Sequence, residues 1–442
     1  MVRTRFAPSP TGLLHIGGLR TALYAYALAK KSGGDFILRI EDTDQKREVK
    51  GAVKALQETL TKFGIDWNEF YIQSERLKTG IYEKAAQILI KNGHAFYCQC
   101  KARNADEEGY SSNLRDVCRN KKLTSGAIKL KVPEGQELSY FDFVHKKKIY
   151  WNTDTVYDAT LLKSDGFPTY HLGAMVDDLD MKITHILRGH DWLPSTPIHL
   201  LIFDFLGGKR PEIGHLTDIL SAVTGKKLSK RRDSVFCEQY LKDGILPEAL
   251  LNFVMLLGWA PKDNREFFNL RQFVDNFNIE GFQQANPRFL IDKMLWFNGF
   301  YIRQKTSEEL YDLFKPFLPE KAEQSLVYEI IPLIKERIKK LSDFTSLAGF
   351  FFEKPKVDKN LFAKDYKIHL KKAIEAFMAM RGWSNEAINK ELLEVIKDNG
   401  FKTGDFFMTL RIAITGSKFT PPINESMVIL GKDETLDRLK NL

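Results

Sequence analysis

The first 63 residues of the chain alternate between short apolar segments and longer segments with helical periodicity. Residues 3–7 and 36–40 are typical of buried strands, whereas residues 17–31 and 49–63 carry apolar side chains at helical spacing. Strands that alternate with helices in this way build a doubly wound parallel sheet. Ligands of such sheets bind at the carboxyl ends of the strands. The sequence therefore predicts an α/β fold with a ligand site in the segments that follow these strands.

Two motifs that suit phosphate binding lie far apart on the chain. The first, residues 8–18 (PSPTGLLHIGG), places a histidine and two glycines where a strand gives way to a helix. The second, residues 225–231 (GKKLSKR), is a loop with a serine among lysines. Alone, the first is also typical of a tight turn, and the second of a solvated basic loop or a nucleic-acid contact. Together they predict a site that holds the triphosphate of ATP between a helix N-terminus and mobile lysines.

Several further motifs accompany these two, and the whole set resembles the class I aminoacyl-tRNA synthetases, within them the bacterial-type glutamyl-tRNA synthetases. The resemblance extends from residue 5 to about residue 439, which is nearly the whole chain. The segments that carry it are residues 5–12 (RFAPSPTG), 39–44 (RIEDTD), 165–172 (DGFPTYHL), 184–189 (THILRG), 227–231 (KLSKR), 246–252 (LPEALLN) and 256–259 (LLGW).

The resemblance implies a domain order. Residues 1–300 are expected to form a Rossmann-type catalytic domain, with an α+β insertion at about 95–185 that contacts the acceptor end of tRNA and a helical linker at about 240–300. Residues 305–442 are expected to form an all-α anticodon-binding domain, and their helical periodicity agrees with this. Pro332 is expected near a helix start or a kink. Related glutaminyl enzymes typically carry β-barrels in this region, so the pattern favours the glutamyl enzymes.

The resemblance also implies an activity. The family attaches L-glutamate to tRNA(Glu) with ATP and Mg²⁺, first as glutamyl-adenylate and then by transfer to the terminal adenosine, releasing diphosphate and AMP. This chemistry needs positioning and charge stabilisation rather than a protein nucleophile. The catalytic residues implied are His15, Lys227 and Lys230. The ATP-binding residues implied are His15, Gly17, Gly18, Asp191, Leu220, Lys227, Ser229 and Lys230, with Asp191 standing where the family usually has Glu.

Glutamate carries one positive and two negative groups, so its pocket must combine arginine with an acid. By resemblance, Arg5 and Arg188 bind carboxylates through their planar guanidinium groups, and Glu41 binds the α-ammonium group. The alternatives are a structural salt bridge for Arg188 and a helix-capping carboxylate for Glu41. The glutamate-binding residues implied are Arg5, Ala7, Ser9, Glu41, Tyr170 and Arg188.

Cysteines in the insertion resemble the start of the zinc site of some glutamyl synthetases. Asn120 stands where the usual pattern has His, so a tyrosine or His94 would have to complete four ligands. We therefore commit to no metal and expect buried or free thiols, as for Cys237. The ligands expected if zinc binds are Cys98, Cys100, Cys118 and Tyr110.

Composition narrows the partners and the compartment. A net charge of +9 favours a polyanionic partner, and tRNA qualifies. The most apolar run, residues 249–259, is interrupted by Asn252 and is too short to span a bilayer, so no membrane segment is expected. With four cysteines and no signal peptide we expect a cytoplasmic, reducing compartment and a monomer. Whether tRNA(Gln) is a second substrate stays open.

Three other functions compete with this one. An inactive paralogue that only binds tRNA would be expected to lose Arg5, His15 or Lys230, and all three are present. A truncated relative that modifies an anticodon base with glutamate would lack the region after about residue 300. A nucleotidyltransferase acting on small molecules shares the first motif but has no use for an anticodon domain.

Overall fold

The computed structural model describes three stretches of the chain, which are residues 1–100, 114–229 and 235–442. Two compact units divide the chain. Unit 1 comprises Met1–Tyr240 and Leu250–Ile291, and unit 2 comprises Leu241–Ala249 and Asp292–Leu442. The described part of unit 2 contains helices and no strand, whereas unit 1 combines sheets with helices.

All strands in the described residues belong to unit 1. They are β1 (Arg3–Phe6), β2 (Asp35–Ile40), β3 (Glu69–Ile72), β4 (Ala95–Cys98), β5 (Ala127–Leu130), β6 (Glu137–Asp142), β7 (Lys147–Asn152), β8 (Thr160–Leu162), β9 (His185–Gly189), β10 (Glu212–Leu216), β11 (Leu220–Ser221) and β12 (Arg288–Phe289).

Helices connect and follow the strands. They are α1 (Ile16–Lys31), α2 (Ala52–Lys62), α3 (Gln73–Leu77), α4 (Ile81–Lys91), α5 (Tyr170–Asp180), α6 (Thr196–Phe205), α7 (Cys237–Lys242), α8 (Pro247–Met255), α9 (Leu270–Asn276), α10 (Ile291–Gln304), α11 (Ser307–Phe314), α12 (Gln324–Ile334), α13 (Asp343–Ala348), α14 (Tyr366–Ala379), α15 (Asn385–Asn399), α16 (Thr403–Thr415), α17 (Ile423–Leu430) and α18 (Lys432–Lys440). Over the described residues, none of these helices is long and apolar enough to cross a bilayer.

A parallel sheet forms the centre of unit 1. β2 pairs in parallel with β1 on one side and β3 on the other, and β10 pairs in parallel with β9 and β6. Thr184, just before β9, joins the two sets: its N–H donates to Arg3 O at 2.9 Å, and its hydroxyl accepts from Arg3 N at 2.8 Å. β7 extends the edge beyond β6 in antiparallel fashion.

Helices cover both faces of this sheet. Successive side chains of a strand point to opposite faces, and β1 shows this directly. Thr4 Oγ1 donates to Ala25 O on α1 at 2.7 Å, whereas the next residue, Arg5, contacts Asp178 on α5. α1 and α5 therefore lie on opposite faces. The predicted doubly wound architecture is confirmed.

Apolar packing on the α5 face holds the sheet to its helices. These buried side chains come from β2, β9 and β10 on one side and from α4, α5 and α6 on the other, and burying each large one contributes about 1.5–3 kcal/mol. The central members are Ile37, Tyr82, Leu89, Leu172, Met175, Ile186, Ile198, Phe203 and Ile213.

A small antiparallel sheet follows α4 in the chain. β5 lies in its centre and pairs with β4 and β8. The predicted β-like segment at residues 127–132 is confirmed as β5, and the predicted segment at 149–151 forms part of β7. Both lie in the region expected as the insertion.

Unit 2 is a helical assembly with its own core around α14–α18. Buried apolar side chains from all five helices pack together in it, including Phe377, Leu392, Phe406, Leu410 and Met427. The predicted all-α character of this half is confirmed.

Two local expectations differ from the structure. The helix predicted over residues 49–63 begins at Ala52, because Gly51 before it has the left-handed φ of 82° that a helix cannot continue. Pro332 lies in the last turn of α12 rather than at a helix start.

Candidate active site

A cavity of about 1170 Å³ opens where β1, β2 and β9 end. This is the position that a parallel sheet offers to its ligand. Residues directly after β1 and β2, and residues at the end of β9, line it together with the start of α5. The sequence-predicted residues that line it are Arg5, Ala7, Ser9, Glu41, Tyr170 and Arg188, which is the complete expected glutamate set.

Beside the cavity, Arg5 and Arg39 share one buried acid. Arg5 Nε contacts Asp178 Oδ1 at 3.1 Å, and Arg39 Nη1 donates to the same oxygen at 2.7 Å. Burial raises the pKa of the Asp178 carboxyl, but the two arginines outweigh it, so this pKa lies below its ordinary value. Asp178 is therefore an anion that neutralises part of the arginine charge.

Glu41 has the opposite electrostatic balance. Its carboxylate accepts from Arg39 Nη2 at 3.1 Å, and its side chain is 8 % exposed. Burial raises the pKa of the Glu41 carboxyl to about 7, although Arg39 and Arg5 counteract part of that effect. A cation that enters the cavity would restore the charged form, so Glu41 is suited to bind an ammonium group.

Arg188 is buried at the cavity wall with neutral partners. Its three guanidinium nitrogens donate to His215, His199 and Thr196 at 2.7–2.9 Å. None of the ion pairs recorded for the described residues joins it to a carboxylate. Because a buried charge without a counter-ion is costly, this side of the cavity favours an anionic ligand. The salt-bridge alternative for Arg188 has no support here.

Aromatic rings close the cavity near Arg188. Tyr170, the first residue of α5, stacks on Trp192 with ring centroids 3.9 Å apart. Both residues line the cavity. The ring pair gives an apolar wall next to the charged groups.

The first phosphate motif caps α1. His15 is the N-cap residue, and its Nδ1 accepts from Gly17 N at 2.9 Å. Gly18 is confined, since a Cβ there would lie 3.1 Å from the Leu14 side chain. Gly12 has a φ of 131°, which L side chains rarely adopt. The motif thus forms a tight turn that leads into the N-terminus of a 16-residue helix, a position that favours the binding of anions.

The second motif begins in a tight loop. Leu220 in β11 bridges to Lys227, and Leu228 N donates to Ile219 O at 2.8 Å. Lys227 Nζ lies 2.5 Å from Asp191 Oδ2 and 2.9 Å from Asp218 Oδ1. The predicted ATP residues Asp191, Leu220 and Lys227 are therefore neighbours. Ser229 follows them at the end of a described stretch, and Lys230 lies outside the described residues.

Hydrogen bonds tie the first motif to the chain that follows the second. Ile16 N donates to Val235 O, and Cys237 N donates to Leu14 O, both at 2.9 Å. His15 and Phe236 form the bridge between these bonds. The two motifs, more than 200 residues apart in sequence, thus belong to one region of unit 1.

Comparison with known proteins identifies the family. Residues 1–296 match the family described as tRNA synthetases class I (E and Q), catalytic domain, and residues 309–442 match the anticodon binding domain. The chain belongs to the class I tRNA synthetases. Glutamate–tRNA ligases of Finegoldia magna and Borreliella burgdorferi are each 38 % identical to this synthetase; the match covers 99 % of the chain and 98 % and 97 % of those proteins.

Solved structures agree with the sequence relatives. A glutamate tRNA ligase of Elizabethkingia meningosepticum is 32 % identical, with a TM-score of 0.84 over 100 % of the synthetase and 98 % of that chain. The glutamate–tRNA synthetase of Elizabethkingia anophelis is also 32 % identical, with a TM-score of 0.85. The predicted family resemblance is confirmed.

A cluster of thiols lies apart from the cavity, in the part of the synthetase expected as the insertion. Donor atoms of Cys98, Cys100, Asp116 and Cys118 all lie within 4.8 Å of one another. Of the ligands expected if zinc binds, Tyr110 lies outside the described residues. His94 stacks on Phe205 with centroids 3.8 Å apart. Asp116, which also pairs with Lys129 at 2.7 Å, is the fourth potential donor among the described residues, and it was not predicted from the sequence.

The residues behind the cavity wall were not predicted from the sequence. Asp178, His199 and His215 contact the predicted arginines, and each is fully buried. The signal available was the adjacent pair Asp177 and Asp178 within the largely apolar segment 172–179, because buried acids are rare unless they are paired.

Proposed function

We propose that this chain is a glutamate–tRNA ligase that forms glutamyl-adenylate from L-glutamate and ATP and then transfers the glutamyl group to tRNA(Glu). The observation that carries the proposal is the charge pattern of the cavity. Arg188 has no carboxylate partner among the described residues, Arg5 shares one, and Glu41 is an acid without full compensation. A ligand with two carboxylates and one ammonium group complements this pattern.

Each cavity residue receives a role from its position. Arg188 binds one carboxylate of the substrate and Arg5 contributes to the second, while Glu41 binds the α-ammonium group. Ser9 and Tyr170 supply neutral hydrogen bonds, and Ala7 supplies backbone contacts next to them. All six residues line one cavity, which supports a single substrate for the set.

The nucleotide is assigned to the two motifs. ATP enters as its Mg²⁺ salt, with its phosphates at the N-terminus of α1. There His15, Gly17 and Gly18 contact them, and Lys227, Ser229 and Lys230 approach from the second motif. Asp191 and Leu220 hold the ribose or base.

Two displacements complete the reaction. The substrate carboxylate oxygen attacks the α-phosphorus, and diphosphate leaves. A ribose hydroxyl of the terminal adenosine of tRNA then attacks the carbonyl carbon of the adenylate, and AMP leaves. Since the extra negative charge develops on phosphate oxygens, the lysines and the helix N-terminus stabilise the transition state.

We further propose the catalytic domain at 1–300, with its acceptor-end insertion at about 95–185 and helical linker at about 240–300. The anticodon-binding domain is then 305–442. The family matches at 1–296 and 309–442 support these bounds, whereas the division into two units places the boundary earlier, at Ile291. Monomeric state and cytoplasmic location belong to the same proposal, and tRNA(Gln) is a second substrate to be tested.

The thiol cluster is proposed as a structural Zn²⁺ site. Two thiolates on one tetrahedral zinc lie about 3.8 Å apart, since a Zn–S bond is about 2.3 Å. Cys100 Sγ and Cys118 Sγ are 3.4 Å apart, and Cys98 Sγ is 3.5 Å from both Asp116 carboxylate oxygens. Elemental analysis of the wild-type protein and of Cys98→Ser tests the proposed zinc site. The wild-type protein should contain about one zinc per chain. Absence of zinc from both proteins would overturn the proposal.

The main test is amino-acid-dependent ATP–diphosphate exchange, with and without tRNA, followed by aminoacylation of purified tRNA(Glu) and tRNA(Gln). Glutamate should support exchange and charging, whereas glutamine and aspartate should not. Arg188→Lys serves as the matched variant because it retains the charge but loses the planar fork. Exchange with a different amino acid, or none with glutamate, would overturn the proposal.

A further inference from the structure

Two buried histidines, His199 and His215, lie behind Arg188, and a third, His171, is partly buried beyond them. Arg188 Nε donates to His215 Nε2 at 2.9 Å, and Nη1 donates to His199 Nδ1 at 2.8 Å. His171 lies behind His199, with its Nδ1 3.0 Å from His199 Nε2. His199 and His215 are not among the residues that line the cavity. Their direct contacts with the cavity lining include the hydrogen bonds to Arg188 and an edge contact of His199 with the Tyr170 ring, with centroids 5.5 Å apart.

The partners of His215 fix its tautomer. A guanidinium group can only donate, so Nε2 of His215 must accept and its proton must be on Nδ1. That N–H donates to Asp142 Oδ2 at 2.7 Å. Tyr140 donates its hydroxyl to the same oxygen at 2.9 Å. Asp142 thus orients His215, and protonation of Nε2 would point an N–H at the guanidinium group.

The same reasoning fixes a chain of donors from His199 outward. Nδ1 of His199 accepts from Arg188, so its Nε2 carries the proton and donates to His171 Nδ1. His171 must then carry its proton on Nε2, which lies 3.4 Å from the hydroxyl of Tyr157. In this series of hydrogen bonds, the N–H groups of His199 and His171 point away from Arg188. The lone pair of His199 Nδ1 points toward Arg188.

The charge states agree with these tautomers. Burial, and after it the charge of Arg188, lowers the pKa of His171 to about 4 and the pKa of His199 well below its ordinary value. Burial also lowers the pKa of His215 to about 4, although Asp142 opposes it. These lowered pKa values favour the neutral form of all three rings at physiological pH. The guanidinium group is therefore held by hydrogen bonds without having its charge cancelled.

We propose that His199 and His215 are positioning residues that fix the guanidinium group of Arg188 by accepting its Nη1–H and Nε–H bonds, so that its undiminished charge faces the substrate carboxylate. This inference rests on the proposed role of Arg188 in glutamate binding. A carboxylate in place of either histidine would hold the arginine equally well but would compete with the substrate. Neutral acceptors provide orientation without that competition.

Crossed amide substitutions test the proposal, because Asn places a polar atom near the Nδ1 position of His and Gln places one near Nε2. At residue 199 the Arg188 contact is made by Nδ1, so His199→Asn should retain glutamate affinity and His199→Gln should lose it. At residue 215 the contact is made by Nε2, so His215→Gln should retain affinity and His215→Asn should lose it.

The measurement is the KM for glutamate and for ATP, with kcat, in ATP–diphosphate exchange. His199→Gln and His215→Asn, which lose the hydrogen bond to Arg188, should each raise the KM for glutamate by about 10-fold to 100-fold, as expected for a hydrogen bond to a charged group. The KM for ATP should change by less than about twofold. His369→Asn is the matched control, since His369 is a buried histidine of unit 2 whose Nδ1 lies 3.1 Å from Thr409 Oγ1.

Folding is monitored by thermal melting of each variant. If one pair of variants does not fold, the other pair carries the test, because a merely structural role predicts no preference for Asn at one site and Gln at the other. Equal effects of Asn and Gln at a site, or a change confined to kcat or to ATP, would overturn the proposal. Arg188→Lys distinguishes failure of the histidine proposal from failure of the proposed function. An unchanged KM for glutamate in that variant would refute the proposed role of Arg188 itself.

Discussion

Glutamate binding should depend on pH through one buried group, the carboxyl of Glu41. Burial raises its pKa to about 7, and Arg39 and Arg5 only partly counteract that effect. In its proposed role, Glu41 binds the α-ammonium group of the substrate in its charged form. As the pH falls through 7, the free protein therefore loses the anion that the substrate needs.

The magnitude follows from the titration curve. With a pKa near 7, about nine-tenths of Glu41 is ionised at pH 8 and about one-tenth at pH 6. The KM for glutamate should accordingly rise about tenfold over this interval, whereas the KM for ATP should not follow the same curve. Binding should also release protons near pH 7, because the ammonium group draws the carboxyl back to its charged form.

The assay is ATP–diphosphate exchange from pH 5.5 to 8.5, together with calorimetry in buffers of different ionisation enthalpy. Glu41→Gln is the matched variant: its KM for glutamate should be high and should lack the inflection near pH 7. A wild-type curve that is flat from pH 8 to 6, or that bends only near 4.5, would refute the assignment of the ammonium site to Glu41.

The free energy of unfolding should also depend on pH through Glu41, and it should fall as the pH rises. A carboxyl whose pKa is higher in the folded than in the unfolded state contributes stability that is full below pH 4.5 and lost as the pH rises through 7. The contribution is on the order of 3 kcal/mol, since one pKa unit corresponds to about 1.4 kcal/mol. Glu41→Gln should remove this part of the pH dependence in denaturant unfolding.

Three other changes have defined outcomes. Asp178→Asn leaves two buried arginines without their shared anion, so the free energy of unfolding should fall by about 3–5 kcal/mol; unchanged denaturation would contradict the buried pairing. Gly12→Ala imposes a side chain on a φ of 131° and should cost about 1–3 kcal/mol, visible as a lower melting temperature, with Gly404→Ala in α16 as the unstrained control. Lys230→Ala should lower kcat for adenylate formation more than it raises the KM for ATP; a loss confined to KM would assign Lys230 to ground-state binding.

Local pattern predicted the cavity well because strand ends are local features. Residues after β1 and β2 were placed correctly from the apolar runs that precede them, and Arg188 was placed from its motif at the end of β9. In a parallel sheet these ends meet on one edge whatever the loops between them do. Strand assignment alone thus fixes which side chains share the site.

Contacts between residues of distant segments could not be predicted from the local sequence pattern. His215 contacts Arg188 from 27 residues away, and Asp142 orients His215 from 73 residues away. Nothing in the spacing of these residues indicates that β6, β9 and β10 are neighbours. Asp116 differs, because it lies two residues before Cys118, and an acid so close to a candidate ligand was visible in the sequence.

The neutral partners of Arg188 bear on amino-acid selection as well as on orientation. A substrate carboxylate supplies the counter-ion that the described residues around Arg188 lack, whereas the amide of glutamine would leave a buried charge uncompensated. Leaving a buried charge unpaired costs about 3–5 kcal/mol, which corresponds to a discrimination of roughly 10²-fold to 10⁴-fold. Had Arg188 been paired with an acid, as Arg39 is with Asp178, much of that difference would disappear. If Arg188 has its proposed role, the histidines make the arginine selective by leaving its charge for the substrate to neutralise.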